Sequence, residues 1–501
     1  MVAALLVAPL APLLGGTALI AADRSRLRIA TAAAYGVALT LAVVALAAAL
    51  LAVWKRPGID HSWVPAIGMR LHLAIDGISA PLVVLTAAIG VLVVLHAGWR
   101  EPSATYLGAL LMVTGGALAT FLVQDAIAFF LAFELVLVPM WLLIARFGDT
   151  TRPGERDRAA TMFVLYTVLG STLMLVGILV LVVSAGTSDL THLQTAHLSR
   201  STQTVVAALL MIGIGIKIPI WPLHSWLPAA HTAAPTGGSV LLAAVLLKMG
   251  TYAVVRLVVF PLPRGLHAIA PVVAVFAVAG ILIGGLVCLV ERSLKRLIAW
   301  SSVAHMGFVV LALMTGTTLG VQAALYGNIA HGVISALLFV VVGGLKKRWG
   351  DDDLQTARRA LRQVSPRLGL ALVVGFAGSL ALPGLAGFWG EVLTLFSAWS
   401  PGDRPLTLFR VLAVAAATGS VLAAAYALRV LRTVWAGTDS LPDVVTDGGS
   451  VVAQDAHAVE WIVIAVLVAA VVALGVWPTP LMHQTAYGLA HVSRVLVGGA
   501  P

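Results

Sequence analysis

Four charged residues lie deep inside apolar stretches: Glu134 in AIAFFLAFELVLVPMW, Lys217 in GIGIKIPIWP, Lys248 in VLLAAVLLKMGTY and Glu391 in LPGLAGFWGE. At the centre of a membrane helix each costs on the order of 2.5–3.5 kcal/mol. Four such costs in one chain argue for a function. The chemistry that amines and carboxylates offer together is proton exchange. A desolvated ammonium tends to give up its proton, whereas one beside a carboxylate keeps it, so moving either partner works as a switch. Glu134 and Lys217 are the first candidate pair. Two other readings compete with this one. Long side chains near helix ends lift their charge to the interface, which suits Lys217 and Lys248 better than the short Glu134, with about eight apolar residues before it and about ten after. Alternatively, Glu134 and Lys217 neutralise each other as a packing bridge, which is compatible with a switch.

Further polar side chains extend the line. In LYGNIAHGVISALLF, Asn328, His331 and Ser335 fall at i, i+3 and i+7, on one face of a helix. In AWSSVAHMG, Ser301, Ser302 and His305 form a similar stripe. Histidine titrates near neutral pH, so such stripes suit a proton relay. His224 and His231, in PLHSWLPAAHTAAP, are possible channel-lining groups. Too few ligands accompany them for a metal site. The lone Cys288 lies in an apolar run, which excludes a disulfide framework and a cysteine-held cluster. Neither GxGxxG nor GxxxxGK[ST] occurs, so no nucleotide-binding loop is expected and no cofactor is assigned to the chain.

The elements that must position these groups are membrane helices. Of 501 residues, 60% are hydrophobic and 10% charged, far from the roughly one-quarter charged of soluble domains. The apolar runs are continuous rather than alternating, which predicts helices and not a barrel. Fourteen candidate spans follow, at 2–22, 30–54, 73–97, 104–123, 125–146, 158–184, 203–228, 235–259, 267–290, 295–315, 320–345, 367–399, 407–435 and 459–478. The seventh carries Pro219 and Pro222 beside Lys217, and the twelfth carries LPGLAGFWGE, so both are expected to break into half-helices.

The fold class is therefore an all-α polytopic membrane protein of about 14 transmembrane helices. The broken helices 7 and 12 lie five apart, which suggests two inverted five-helix repeats, 104–259 (helices 4–8) and 267–435 (helices 9–13). Residues 1–100 hold helices 1–3, and 436–501 the last helix and a short tail, with no soluble domain. Inverted repeats with matching broken helices point to a transport site near the midplane. The net charge of +10 sits in loops and reads as an orientation signal rather than as a nucleic-acid surface. It places the basic loop 346–367 on the cytoplasmic side and both termini on the outer side. The first apolar run has no basic segment before it and is expected to be a retained helix rather than a signal peptide.

The strings LAIDGIS (73–79), FLAFELVLVPMW (130–141), FVLYTVLGS (163–171), KIPIWPLHSWLPAAHTAAPTGGSVLLAAVLLKMGTY (217–252), LKRLIAWSSVAHMG (294–307), AHGVISALLF (330–339) and LPGLAGFWGE (382–391) resemble the antiporter-like membrane subunits of respiratory complex I. Within that family, Glu391 ending the broken twelfth span, and HGVISALLF without a lysine, are similar to the M type, the mitochondrial subunit 4 type. The resemblance implies fourteen helices in two inverted halves and a proton-translocating, non-redox subunit of an NADH-quinone oxidoreductase in a bacterial-type inner membrane. It implies that Glu134 modulates Lys217, Lys248 links toward the centre, and Glu391 is the output group, with His305 and His331 on the axis between. L-type and N-type membrane subunits would be its neighbours. NADH, FMN, iron-sulfur clusters and quinone would be bound by other subunits. Ala229 and Ala233 depart from the family pattern, which often has polar or acidic residues there. The other readings are an Mrp-type cation/proton antiporter, or a membrane subunit of an energy-converting hydrogenase or inorganic-carbon uptake complex. Glu391 argues against the Mrp type.

Overall fold

The structure, a computed structural model, describes residues 2–24, 30–98, 102–150, 154–356, 358–437, 445–446, 449–450 and 455–490. Arg26, Arg28, Arg100, Arg152 and Arg494, which enter the orientation reading, and the tail after 490, lie outside the described residues. Among the described residues, twelve helices are long and apolar enough to cross a membrane. Large aliphatic side chains such as Val183 and Leu165 stay exposed on the outer helices, 80% and 64% respectively, as expected where lipid is the solvent.

α1 (Val2–Arg24) and α2 (Thr31–Lys55) lead into a hairpin of β1 (Gly58–Val64) and β2 (Met69–Ala74). This hairpin departs from the all-helical expectation, and the third span starts at Ser79 rather than at residue 73. In MRLHLA, Met69, Leu71 and Leu73 alternate with Arg70 and His72, a period of two that suits a strand. β2 is tied down by the amide of Gln124 donating to the His72 carbonyl at 2.8 Å, and by His72 Nδ1 lying 2.6 Å from the buried Asp189.

α3 (Ser79–Gly98) and α4 (Ala104–Leu122) follow. The fifth span is two helices, α5 (Ala126–Glu134) and α6 (Leu137–Phe147), where continuity was expected. Pro139 is the reason: without an N–H it cannot bond the Leu135 carbonyl, so the ladder lapses next to Glu134. α7 (Glu155–Ala185) and the one-turn α8 (Leu190–Leu193) precede the seventh span. That span breaks as its prolines predict: α9 (Arg200–Lys217) stops at the lysine and α10 (Trp226–Ala233) resumes beyond it. The indole Nε1 of Trp226 donates to the Ile216 carbonyl at 2.8 Å, satisfying one of the acceptors that the break exposes.

The eighth span is wholly buried and contains α11 (Thr236–Leu241), a π-helical turn Leu242–Leu246, α12 (Leu247–Val254) and a second π-helical turn Val255–Val259. α13 (Pro263–Val290) and α15 (Thr318–Trp349) pack beside it, with α14 (Leu294–Met314) against both, and α15 is almost entirely buried. After the short α16 (Leu361–Val364), the twelfth span divides into α17 (Pro366–Ser379) and α18 (Gly387–Trp399). α19 (Leu406–Val430), a short ladder pairing Val445–Thr446 with Gly449–Ser450, α20 (Ala458–Val476) and α21 (Thr479–Ala490) complete the described chain. Two glycine contacts set the spacing around the polar interior. A Cβ on Gly170 of α7 would meet the Gly213 carbonyl of α9 at 2.7 Å, and one on Gly390 of α18 would meet Gly327 of α15 at 2.8 Å.

Candidate functional site

Lys248 is completely buried at the start of α12, just after a π-helical turn. A π turn leaves a carbonyl without its usual helical partner. The Lys248 ammonium takes such an acceptor, donating to Ala243 at 2.8 Å. Its Nζ also lies 2.5 Å from His331 Nδ1 on α15. The His331 and His305 rings are 5.6 Å apart between centroids. His305 Nδ1 lies 3.1 Å from Glu391 Oε1, and its Nε2 lies 2.7 Å from the Ser379 hydroxyl at the end of α17. The other Glu391 oxygen accepts from Ser420 of α19 at 2.9 Å. A cavity of about 30 Å³ is lined by both histidines, Glu391 and Thr394. That is room for about two waters. Four residues from different spans, Lys248, His331, His305 and Glu391, are thus one polar axis.

At the other break, Lys217 is 3% exposed at the end of α9, and its ammonium has no hydrogen-bond partner among the described residues. It sits 4.9 Å from the Phe133 ring centroid and 6.0 Å from that of Phe163, a desolvated cation facing aromatic rings. Glu134, at the end of α5, is within electrostatic reach of Lys217 and adjoins Ser171. One of its oxygens is buried without a hydrogen-bond partner, and no ion pair closer than 4.0 Å joins the two. The packing-bridge reading therefore has no contact to rest on. A cavity of about 10 Å³, lined by Phe133, Ser171 and Lys217 among others, lies beside the ammonium. That is room for about one water. Lys217 approaches α12 of the eighth span at the root of its side chain: a Cβ on Gly250 would lie 3.5 Å from the Lys217 Cβ.

The remaining expected groups divide. Asn328 joins the interior, accepting from Thr251 at 2.9 Å. Ser301 and Ser302 both donate to the Ile298 carbonyl, and Ser335 to that of Gly332, so these hydroxyls turn back onto their own helices. His231 is fully buried, stacked 4.5 Å from Phe339, with both ring nitrogens unpartnered and within electrostatic reach of Lys248 and Lys295. His224 is 7% exposed with its ring 4.9 Å from that of Trp300. Sequence reading passed over Lys295, 5% exposed and bonded to the Ala234 carbonyl, and Arg256, 4% exposed and paired with Asp76. Both stand near span ends, where a cation reads as snorkelling. The signal for Arg256 was its place inside the run YAVVRLVVF.

A search for known relatives identifies the lineage of this arrangement. The family described as "NADH:quinone oxidoreductase/Mrp antiporter, TM" matches residues 123–417, the stretch that carries Glu134, Lys217, Lys248 and Glu391. The chain belongs to this family. Members similar to it include the NAD(P)H-quinone oxidoreductase chain 4 1 of Synechococcus elongatus, 40% identical over 75% of this chain and 70% of that one. The NADH-quinone oxidoreductase subunit M of Escherichia coli is 33% identical over 87% of this chain and 85% of that one. Among solved structures, a chain of respiratory complex I from Thermus thermophilus with bound NADH superposes with a TM-score of 0.85 at 27% identity, covering 98% of this chain and 99% of that one. A chain of the Mrp complex from Dietzia superposes at 0.83 with 21% identity, over 99% of this chain and all of that one, a likeness of fold. The family's antiporter-like membrane fold and its M, or chain 4, type are those expected from the motifs.

Proposed function

We propose that this chain is the M-type, proton-translocating membrane subunit of an NADH-quinone oxidoreductase, carrying protons along Lys217, Lys248, His331, His305 and Glu391. The observation that carries the reading is the Lys248–His331–His305–Glu391 axis, assembled from the eighth, eleventh, tenth and twelfth spans and ending at a helix break. Glu134 and Lys217 are the switch at the first break. Close approach of the carboxylate holds the proton on the ammonium, and separation releases it toward the water-sized cavity and Lys248. Lys248 hands a proton to His331, water in the larger cavity bridges to His305, and Glu391 passes it on. Each step needs heavy atoms within about 2.6–3.2 Å, or one water between. The chain contributes no redox step: NADH, FMN, iron-sulfur clusters and quinone belong to other subunits, and L-type and N-type subunits flank it. The halves 104–259 and 267–435 are inverted five-helix units with both termini outside, a reading supported by the five-span separation of the breaks.

Proton transfer against a membrane potential requires about 2.3 kcal/mol per charge per 100 mV. That energy comes from quinone reduction elsewhere in the complex. The test is Lys217→Ala and Glu134→Ala in the assembled complex, reading protons moved per electron. Both are expected to lower that ratio, and unaltered ratios in both would sink the mechanism.

A further inference from the structure

Arg256 stands apart from this axis, on the opposite side of Lys248 from the basic loop and toward the β1–β2 hairpin. It lies in the second π-helical turn of the eighth span and is 4% exposed. Its Nη2 donates to Asp76 Oδ2. The other Asp76 oxygen accepts from the amides of Ile78 and Ser79 at 3.0 and 2.9 Å, which fixes the carboxylate at the mouth of α3. That side chain is 40% exposed at the surface of the chain. The guanidinium carbon lies 5.0 Å from the ring centroid of Tyr252, itself fully buried, with its hydroxyl donating to the Phe121 carbonyl at 3.3 Å. Lys248, Tyr252 and Arg256 follow one another at i, i+4 and i+8, so the relay lysine and the arginine that holds the Asp76 carboxylate are separated by about 12 Å of helix.

Resting on the proton-carrying reading of Lys248, we propose that Arg256 is a charge barrier that closes the hairpin side of Lys248 to protons, with Asp76 as its anchor and Tyr252 as its platform. The geometry makes a short circuit available. Lys248, the Thr251–Asn328 hydrogen bond and a carboxylate at the surface are the parts from which a second proton path would be made. A guanidinium breaks such a path in two ways. It does not give up its proton at any working pH, so it cannot relay, and its fixed charge repels a proton approaching through the same space. A fixed arginine excludes protons from membrane pores by the same means. Tyr252 and the anchored carboxylate keep the charge from swinging out to water. A purely structural ion pair tying α3 to the eighth span would hold helices together without bearing on proton flux.

The experiment uses vesicles containing the assembled complex at rest, with no electron donor, and follows decay of an imposed pH gradient with a trapped dye. Arg256→Met is expected to speed the decay at least roughly tenfold, the effect of one fixed charge at about 12 Å in a medium of effective dielectric about 20. Adding Lys248→Met to Arg256→Met is expected to restore the slow decay. An unchanged rate in assembled Arg256→Met, or fast decay that persists without Lys248, overturns the proposal. If the Arg256→Met complex does not assemble, Arg256→Lys, which keeps a charge to pair with Asp76 but can release its proton, decides. It is expected to raise the rate by less, and no rise overturns the proposal. Because the leak is read without turnover, its outcome is separate from that of the Lys217 and Glu134 pumping test.

Discussion

Replacing Lys248 by arginine separates the presence of a charge from the ability to exchange a proton. Lysine at this position makes two contacts, to the Ala243 carbonyl at 2.8 Å and to His331 Nδ1 at 2.5 Å. Removing it altogether, as in Lys248→Met, orphans two buried acceptors at about 1–3 kcal/mol each. The same change recovers the cost of burying the amine, on the order of 2.5–3.5 kcal/mol. The net effect is only a few kcal/mol, so the complex should still assemble. Arginine retains the charge and the donors but titrates above about 12, so its deprotonated fraction at neutral pH is below about 10⁻⁵. Loss of a positioned proton-exchanging group typically costs about 10²–10⁴-fold in transfer rate. Both variants should therefore abolish this chain's share of translocation, the arginine variant with the charge pattern intact. The assay is quinone reduction in proteoliposomes with a trapped pH dye, scored as protons per electron. An unaltered ratio in Lys248→Arg would refute proton exchange at this site and leave Lys248 as a structural charge.

Two further outcomes follow from the geometry. Ala330→Val adds two methyl groups at the wall of the cavity that both histidines line, without removing any titratable group; overpacking costs about 1–3 kcal/mol, and protons per electron should fall while assembly is kept. At the hairpin, the hydrogen bond to Asp189 raises the His72 pKa above its ordinary 6.5, while burial opposes it. The bonds from His72 and Thr191 hold Asp189 below the usual carboxylate range despite its burial. The His72 contribution is complete below its unfolded pKa and is lost as pH rises through the folded value; that of Asp189 is lost as pH falls through its own. The protection of amides 69–74, their exchange rate relative to the intrinsic base-catalysed rate at each pH, should accordingly fall on going from neutral to alkaline pH, and His72→Gln should remove that fall.

Much of the architecture can be read from residues because membrane helices announce themselves by length and apolarity. The breaks at Lys217 and before Glu391 were legible for a chemical reason: proline and glycine cannot sustain the ladder. The break after Glu134 carried a similar signal in Pro139, hidden because the surrounding run is otherwise continuous. The hairpin was obscured because LHLA merges into the apolar start of the third span. The interior divides likewise. His305, His331, Lys248 and Glu391 converge as their depth and spacing suggest, whereas Ser301, Ser302 and Ser335 bond the preceding turn of their own helices, as hydroxyls in apolar surroundings do. Periodicity assigns a face to a serine but not a partner. Depth along a span is also not distance between spans: Glu134 and Lys217 are neighbours without an ion pair. Arg256 and Lys295 were missed because a cation near a span end has a cheap explanation, and only the fold shows each turned inward to a partner.

The central claim is that these groups act in series as one proton path, and non-additivity tests it most directly. Protons per electron would be measured for the assembled complex carrying Lys248→Met, Glu391→Gln and the two together. A single path predicts that each substitution lowers the ratio by the same amount and that the pair lowers it no further. A double variant that loses the sum of the two, or a Glu391→Gln complex that pumps with an unaltered ratio, would contradict it.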